Sequence, residues 1–189
     1  MRPVLVIPPE APLVALSGPD GLQAQCRVDV DEEGASAEDG LLQAFERSAV
    51  SYLDGYSGKL GRCILKQKWA LPLSDGSHAI FLPFPDCRDF SIERLDSEGN
   101  WSDVEGVSIQ VGNDAAVFTD LPSDRTGLHL TCFAGWETSN DVPESLKQAV
   151  RMMVAHWFLH RETVTPMGNA QHLPMAAQAL IAPLTHIFV

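Results

Sequence analysis

Two histidines, His156 and His160, have the spacing best suited to chemistry in this chain. They stand at i and i+4 of a predicted helix, which allows two imidazoles to meet one metal ion. The general base of an HExxH zinc protease is absent, because Trp157 occupies that position. Glu162 or His172 could supply a third ligand. The other interpretation, which we favour, places these histidines at the polar boundary of an amphipathic helix, and loading with zinc separates the two.

The other motifs do not predict a catalytic or cofactor site. Gly55, Gly58 and Gly61 follow a predicted helix and precede a strand, whereas phosphate-binding loops follow a strand and open a helix. These glycines therefore predict helix termination. Ser57 lacks the strand-turn-helix context of a nucleophile elbow. The four cysteines never form a CxxC pair, which predicts reduced, partly buried thiols.

Composition predicts an ordinary globular domain with an acidic surface. The chain has 189 residues, of which 45% are hydrophobic, and a net charge of −12. That charge argues against a sequence-specific DNA-binding module. Acidic residues crowd positions 29 to 39, where we expect a solvated loop leading into a helix. Prolines interrupt the apolar N-terminus and no segment is long enough to span a bilayer, so we expect cytoplasmic synthesis and no membrane association.

Hydrophobic periodicity changes twice along the chain. Residues 1–16 are predicted to be an extended arm. Residues 17–61 are predicted to contain helices, and the second of these starts at a capping box formed by Ser36 and Asp39. A helix after Pro143 and another after Pro174 are predicted within 141–189. Between them, 62–135 is predicted to be rich in strands. The predicted strands are Ile64–Leu71, His78–Leu82, Phe90–Leu95, Trp101–Val104, Val107–Val111, Ala115–Phe118 and Leu128–Phe133.

These elements predict an α+β fold. In it, helices from both chain ends form a helical bundle core, and a small antiparallel β sub-domain is inserted between them. Six apolar side chains from three helices are expected to pack together. They are Leu41, Phe45, Leu53, Met153, Trp157 and Leu180.

The order of several short segments resembles a known family. The most distinctive is Val142–Val150, which continues through Trp157-Phe158 to Arg161-Glu162 and, after a loop, Leu173-Pro174. The others are Gln25–Asp29, Tyr56–Lys59, Leu82–Pro85, Asp96–Gly99 and Phe133–Trp136. In this order and spacing the chain resembles the gp6-like phage head-tail connector, or neck adaptor, family, including the adaptors of gene transfer agents. Trp136 stands where a tyrosine is commoner, and the apolar arm before Ser17 is longer than in that pattern.

The resemblance implies a structural role without enzymatic activity or cofactor. Such proteins form a dodecameric ring beneath the portal protein, extend the DNA channel and receive a stopper or tail-completion protein. The resemblance also implies that DNA passes through the channel without specific binding, and that the chain is incorporated into the neck of a virion or phage-like particle. We further expect the apolar tail Ile187, Phe188 and Val189 to contact the portal, or else to cap the domain's own core. The alternatives are a tail-completion protein of the same particle and a small metal-dependent enzyme using His156 and His160.

Overall fold

The computed structural model describes residues 2–73, 79–112, 115–160 and 175–186. The chain divides into two compact units, one of Met1–Pro9 with Leu65–Trp136 and one of Glu10–Ile64 with Glu137–Val189. The strands are β1 Val4–Ile7, β2 Gln67–Pro72, β3 Ala79–Phe81, β4 Arg88–Leu95, β5 Trp101–Asp103, β6 Ser108–Val111, β7 Ala115–Thr119 and β8 Leu128–Ala134. The helices are α1 Leu22–Cys26, α2 Asp39–Leu53, α3 Glu144–Leu159 and α4 Met175–Ile181, followed by a 3-10 turn at Ala182–Leu184.

The first unit is built on two antiparallel sheets. Five strands pair in the order β1-β2-β8-β4-β5, and three more pair in the order β3-β7-β6. Strand β8 lies at the centre of the larger sheet, and Leu130, Thr131 and Cys132 are fully buried. Leu128 and Leu130 alternate with His129 and Thr131 at the start of the strand, and Cys132, Phe133 and Ala134 follow as an apolar run. Five of its seven residues are buried.

The predicted helical bundle core with a small inserted sheet is wrong. The chain is rich in sheet, with a curled five-stranded antiparallel sheet, and the four helices in the described residues are short. Helices α1 and α4, with 5 and 7 residues, are too short to supply the long apolar seams of a bundle. Within the expected extended arm, Val4–Ile7 instead forms strand β1, which pairs with β2. The sheets are therefore a major part of the fold and not a small addition to a helical bundle.

The local signals in the second unit are largely confirmed. The Asp39 carboxylate accepts a hydrogen bond from the Ser36 N–H at 2.9 Å, which is one half of the predicted capping box. Helix α2 begins at Asp39, two residues later than an N-cap at Ser36 predicts. After α2, Gly55 has φ +74°, and a Cβ on Gly58 would lie 2.2 Å from the Asp54 carbonyl oxygen. The glycine cluster therefore terminates the helix, as predicted.

The predicted packing of α2 with α3 is confirmed at its aromatic pair. Phe45 and Trp157 meet edge to face, with ring centroids 6.2 Å apart. Leu53 and Met153 are fully buried, whereas Leu41 and Leu180 are only partly buried. Leu42 takes the fully buried position on α2 in place of Leu41. One residue of rotation, about 100° around a helix, accounts for that difference.

A buried carboxylate holds the proline-rich segment that precedes α1. Glu46, on α2, is almost completely buried, and its Oε1 accepts hydrogen bonds from the Leu13 N–H at 2.8 Å and the Val14 N–H at 3.3 Å. Burial raises the pKa of Glu46, and the two backbone hydrogen bonds and the charge of Arg47 offset that effect only in part. The folded state consequently binds a proton at this site more readily than the unfolded chain does.

Replacing Glu46 separates its role as an acceptor from the cost of its charge. Glu46→Ala leaves two backbone N–H groups without their acceptor and is expected to lower the free energy of unfolding by about 2 kcal/mol or more. Glu46→Gln keeps an acceptor oxygen without the charge. Because the folded pKa is raised, the wild type should lose stability relative to Glu46→Gln as the pH rises from about 4 through the folded pKa. Urea unfolding across this pH range measures both effects, and an alanine variant as stable as the glutamine variant would contradict the assignment.

Candidate assembly surfaces

The histidine pair lies where the sequence placed it, at the end of α3. The rings of His156 and His160 are 4.8 Å apart between centroids and meet edge to face. The His160 N–H also donates to the His156 carbonyl oxygen at 3.0 Å, which closes the helix. Within the described ranges, no group of three His, Cys, Asp or Glu side chains is arranged to hold a metal ion. Both third ligands suggested above, Glu162 and His172, lie outside those ranges.

The predicted partner contact Ile187, Phe188 and Val189 also lies outside the described residues. The residues before it are anchored within the second unit. The His186 N–H donates to the Leu60 carbonyl oxygen at 2.7 Å, and the Thr185 hydroxyl donates to the Ile181 carbonyl oxygen at 3.1 Å. The chain therefore enters its last three residues from a fixed point next to the loop that follows α2.

The acidic segment between α1 and α2 forms an ordered, solvated loop, as predicted. Asp29, Asp31, Glu32 and Glu33 are exposed. The Asp31 carboxylate accepts hydrogen bonds from the N–H groups of residues 33 and 35, at 3.0 and 2.8 Å. The buried Gln23 amide donates to the Gly34 carbonyl oxygen and to the Asp39 carboxylate. These bonds hold a group of negative charges in place at the surface.

Strand β1 presents an apolar edge, which we call the edge patch: Val4, Leu5 and Ile7. These three side chains are exposed even though the strand pairs with β2, with Leu5 opposite Trp69. Strand β1 is at one end of the five-stranded sheet, so the described structure leaves its outer N–H and C=O groups open to another strand. Sequence reasoning missed this strand, although a run of β-branched and apolar residues bounded by Pro3 and Pro8 is a strand signal.

The three-stranded sheet presents a second apolar area, which we call the face patch: Phe81 and Val117. Alternation along β7 buries Ala116 and Phe118 on one face and leaves Val117 on the other. On that outer side Phe81 is 83% exposed, an unusual exposure for an aromatic ring. Single exposed apolar side chains are normal on protein surfaces, so these two do not by themselves mark an interface.

A buried polar cluster crosses three strands of the larger sheet. Lys68 on β2 lies 2.6 Å from the carboxylate of Glu93 on β4, and the Thr131 hydroxyl on β8 donates to the same oxygen at 2.7 Å. Glu93 is only 5% exposed. Burial acts to raise the pKa of Glu93, but hydrogen bonds from Lys68, Thr131 and Ser91 together hold it below its ordinary value. Its hydrogen-bond donors Ser91, Thr131 and Lys68 all lie within the sheet, so the cluster links three strands of the fold.

In the part of the chain that the structure describes, no helix is both long and apolar enough to cross a membrane.

No protein-family model matches the chain, and no curated protein matches it. Solved structures do match. A chain in the neck of an empty gene transfer agent (GTA) particle, computed with C6 symmetry, superimposes with a TM-score of 0.68 at 18% identity, covering 100% of this chain and 97% of that one. A chain from the virion of a native GTA particle gives a TM-score of 0.67 at 18% identity, with coverage of 100% and 97%.

A chain in the neck of a native GTA particle, computed with C12 symmetry, gives a TM-score of 0.62 at 19% identity, covering 98% of this chain and 97% of that one. At such identities the likeness establishes the fold. Over essentially its whole length, this chain has the fold of chains found in the necks and virions of GTA particles.

Proposed function

We propose that this chain is a structural protein in the neck of a tailed phage, prophage or gene transfer agent particle. In that position it forms a ring between the portal protein and a stopper or tail-completion protein, and the ring extends the DNA channel. The observation that carries this proposal is the fold likeness to GTA neck chains. The match covers both compact units, with 100% of this chain and 97% of the GTA neck chain superimposed. No enzymatic activity belongs to this role.

The edge patch is the surface we assign to contact with a second copy. Two of the matching necks were computed with cyclic symmetry, and a cyclic ring requires two different patches on each protomer to meet. A chain with net charge −12 repels its own copies, which favours a contact surface without charged residues. From Pro3 to Pro9 the sequence has no charged residue. An uncharged, apolar edge strand can accept a strand from a neighbour by main-chain hydrogen bonding.

The charge distribution suits a channel through which DNA slides. Neutralising DNA phosphates needs clusters of lysine and arginine, whereas this chain has 13 basic and 25 acidic residues. Exposed carboxylates such as those of Asp31 and Glu33 repel a phosphate backbone. The protein therefore offers DNA little to bind, and passage without specific binding is the expected behaviour. After synthesis in the cytoplasm the chain would be incorporated into the particle.

Co-expression with the portal protein encoded by the same genome tests this role. Alone at low salt, the purified chain is expected to sediment as a monomer or small oligomer, because its charge opposes self-association. With the portal it is expected to form a ring that remains bound through size-exclusion chromatography and is visible by electron microscopy. A stable dodecamer of the isolated chain would contradict the dependence on the portal. Binding to tail components but not to the portal would instead favour a tail-completion protein.

The C-terminal tail is proposed to contact the portal. Deleting Ile187, Phe188 and Val189 should change the thermal midpoint little and abolish attachment to portal-containing particles, because apolar residues at a chain end gain order only by docking. Differential scanning fluorimetry and a pull-down with the portal measure the two effects. A deletion that prevents folding would show that the tail caps the domain's own core, and normal attachment without the tail would also contradict the proposal.

A further inference from the structure

Two of the four cysteines lie in contact within the sheet unit. The Cys132 thiol, on β8, donates toward Cys87 Sγ, and the two sulfur atoms are 3.4 Å apart. Cys132 is fully buried in the central strand, whereas Cys87, directly before β4, is partly accessible. A disulfide has a sulfur–sulfur distance of about 2.05 Å, so the two sulfur atoms would have to approach by about 1.4 Å to form one.

The pair stands beside an interruption in the β4–β8 ladder. Arg88 pairs with Phe133 and Ser91 pairs with Thr131, with a register shift between the two pairs. Asp89, inside that shift, has φ +53°, a conformation that is uncommon for residues other than glycine. The backbone thus leaves this end of β4 with fewer ladder hydrogen bonds than the rest of the strand. A disulfide between Cys87 and Cys132 would hold this end of β4 against the central strand β8.

We propose that Cys87 and Cys132 form a redox couple that is reduced in a reducing environment and closes to a disulfide in an oxidising one. Its place in particle maturation, with reduced thiols during assembly and a disulfide after release, rests on the proposed function. The oxidant can be a small disulfide such as oxidised glutathione. Cys87 as thiolate attacks one glutathione sulfur and releases one glutathione. The Cys132 thiolate then attacks Cys87 Sγ and releases the second, so two protein thiols are oxidised and one glutathione disulfide is reduced.

The other two cysteines provide internal controls. Cys63 is fully buried. Burial raises the pKa of the Cys26 thiol, which lowers its thiolate fraction at neutral pH. Neither is expected to react in the folded chain. The segment enclosed by the proposed disulfide, 88–131, includes β4 to β7, and closing so long a loop restricts the unfolded chain.

Equilibration of the purified full-length chain with oxidised glutathione tests the couple. The thiol count after denaturation should fall from four to two, a Cys87–Cys132 linked peptide should appear by mass spectrometry, and the thermal midpoint should rise by several degrees. Cys87→Ala should lose no thiols, and Cys26→Ser should still form the link. A lasting glutathione adduct, a link between other cysteines, or an unchanged thiol count in the folded chain would overturn the proposal.

Particles isolated under alkylating conditions separate this proposal from the proposed function. If the purified chain forms the link but particles do not contain the chain, the couple stands and the neck role fails. If particles contain the chain with both thiols still free after exposure to oxidant, the neck role stands and the couple fails.

Discussion

Leu5→Lys is expected to weaken ring formation on the portal at least tenfold while leaving the chain folded. Leu5 lies in the edge patch and is 42% exposed, so a lysine can extend its ammonium group into water without displacing core side chains. At an edge that accepts a neighbouring strand, however, the ammonium group would have to be buried against an apolar contact. Lysine is a residue by which natural proteins block edge-to-edge pairing. We expect the concentration needed for half-maximal ring assembly to rise at least tenfold, which corresponds to about 1.4 kcal/mol per copy.

A matched substitution on the face patch provides the control. Val117 is 44% exposed, is also apolar and also lies on a strand, so Val117→Lys introduces the same charge at nearly the same exposure. It should leave ring assembly unchanged if the edge patch makes the contact between copies. Thermal unfolding of both variants establishes that they are folded, and electron microscopy with the portal counts rings. Normal rings with Leu5→Lys, or loss of rings with Val117→Lys alone, would show that the edge patch is not the surface of contact between copies.

Lys68→Met should lower the free energy of unfolding by about 3–5 kcal/mol, because it leaves the buried Glu93 carboxylate without its cation. Chemical denaturation at pH 7 measures the loss. The pKa of Glu93 is lowered in the folded wild type. The ionised carboxylate therefore adds to the free energy of unfolding above the unfolded pKa of about 4.3, and this contribution is lost as the pH falls through the folded pKa. Without Lys68, burial dominates and the folded pKa rises. The variant should therefore recover part of its stability on mild acidification, opposite to the wild type.

Two further variants distinguish the buried pair from ordinary ion pairs. The double variant Lys68→Met, Glu93→Leu removes both charges and should recover most of the lost stability, since an apolar pair of similar size avoids the cost of burying charge. Lys147→Met removes the ammonium group 3.0 Å from Glu144, whose side chain is 65% exposed, and should cost less than about 1 kcal/mol. Equal losses for Lys68→Met and Lys147→Met would contradict the special role of the sheet cluster.

Features that depend on neighbouring residues could be read from the sequence. A turn joins the two strands predicted at Phe90–Leu95 and Trp101–Val104, with Gly99 at φ +90° and the Asp96 carboxylate accepting hydrogen bonds from the N–H groups of Glu98 and Asn100. The helix after Pro143 begins at Glu144, and each of the seven predicted strands corresponds to a strand in the structure. Capping, turn chemistry and hydrophobic period act over a few residues, so the sequence contains them directly.

Tertiary structure alone decided which distant segments meet. Val4 pairs with Ala70 and Lys68 reaches Glu93, and neither contact is marked by a local motif. Strand order depends on which pairing buries the most apolar surface and satisfies the most backbone groups, and this competition involves the whole chain. For that reason the strands were predicted while the fold class was wrong. The same reason applies to the candidate surfaces: the sequence gives Val4, Leu5 and Ile7 as apolar residues, but only their place at the end of a five-stranded sheet leaves them exposed.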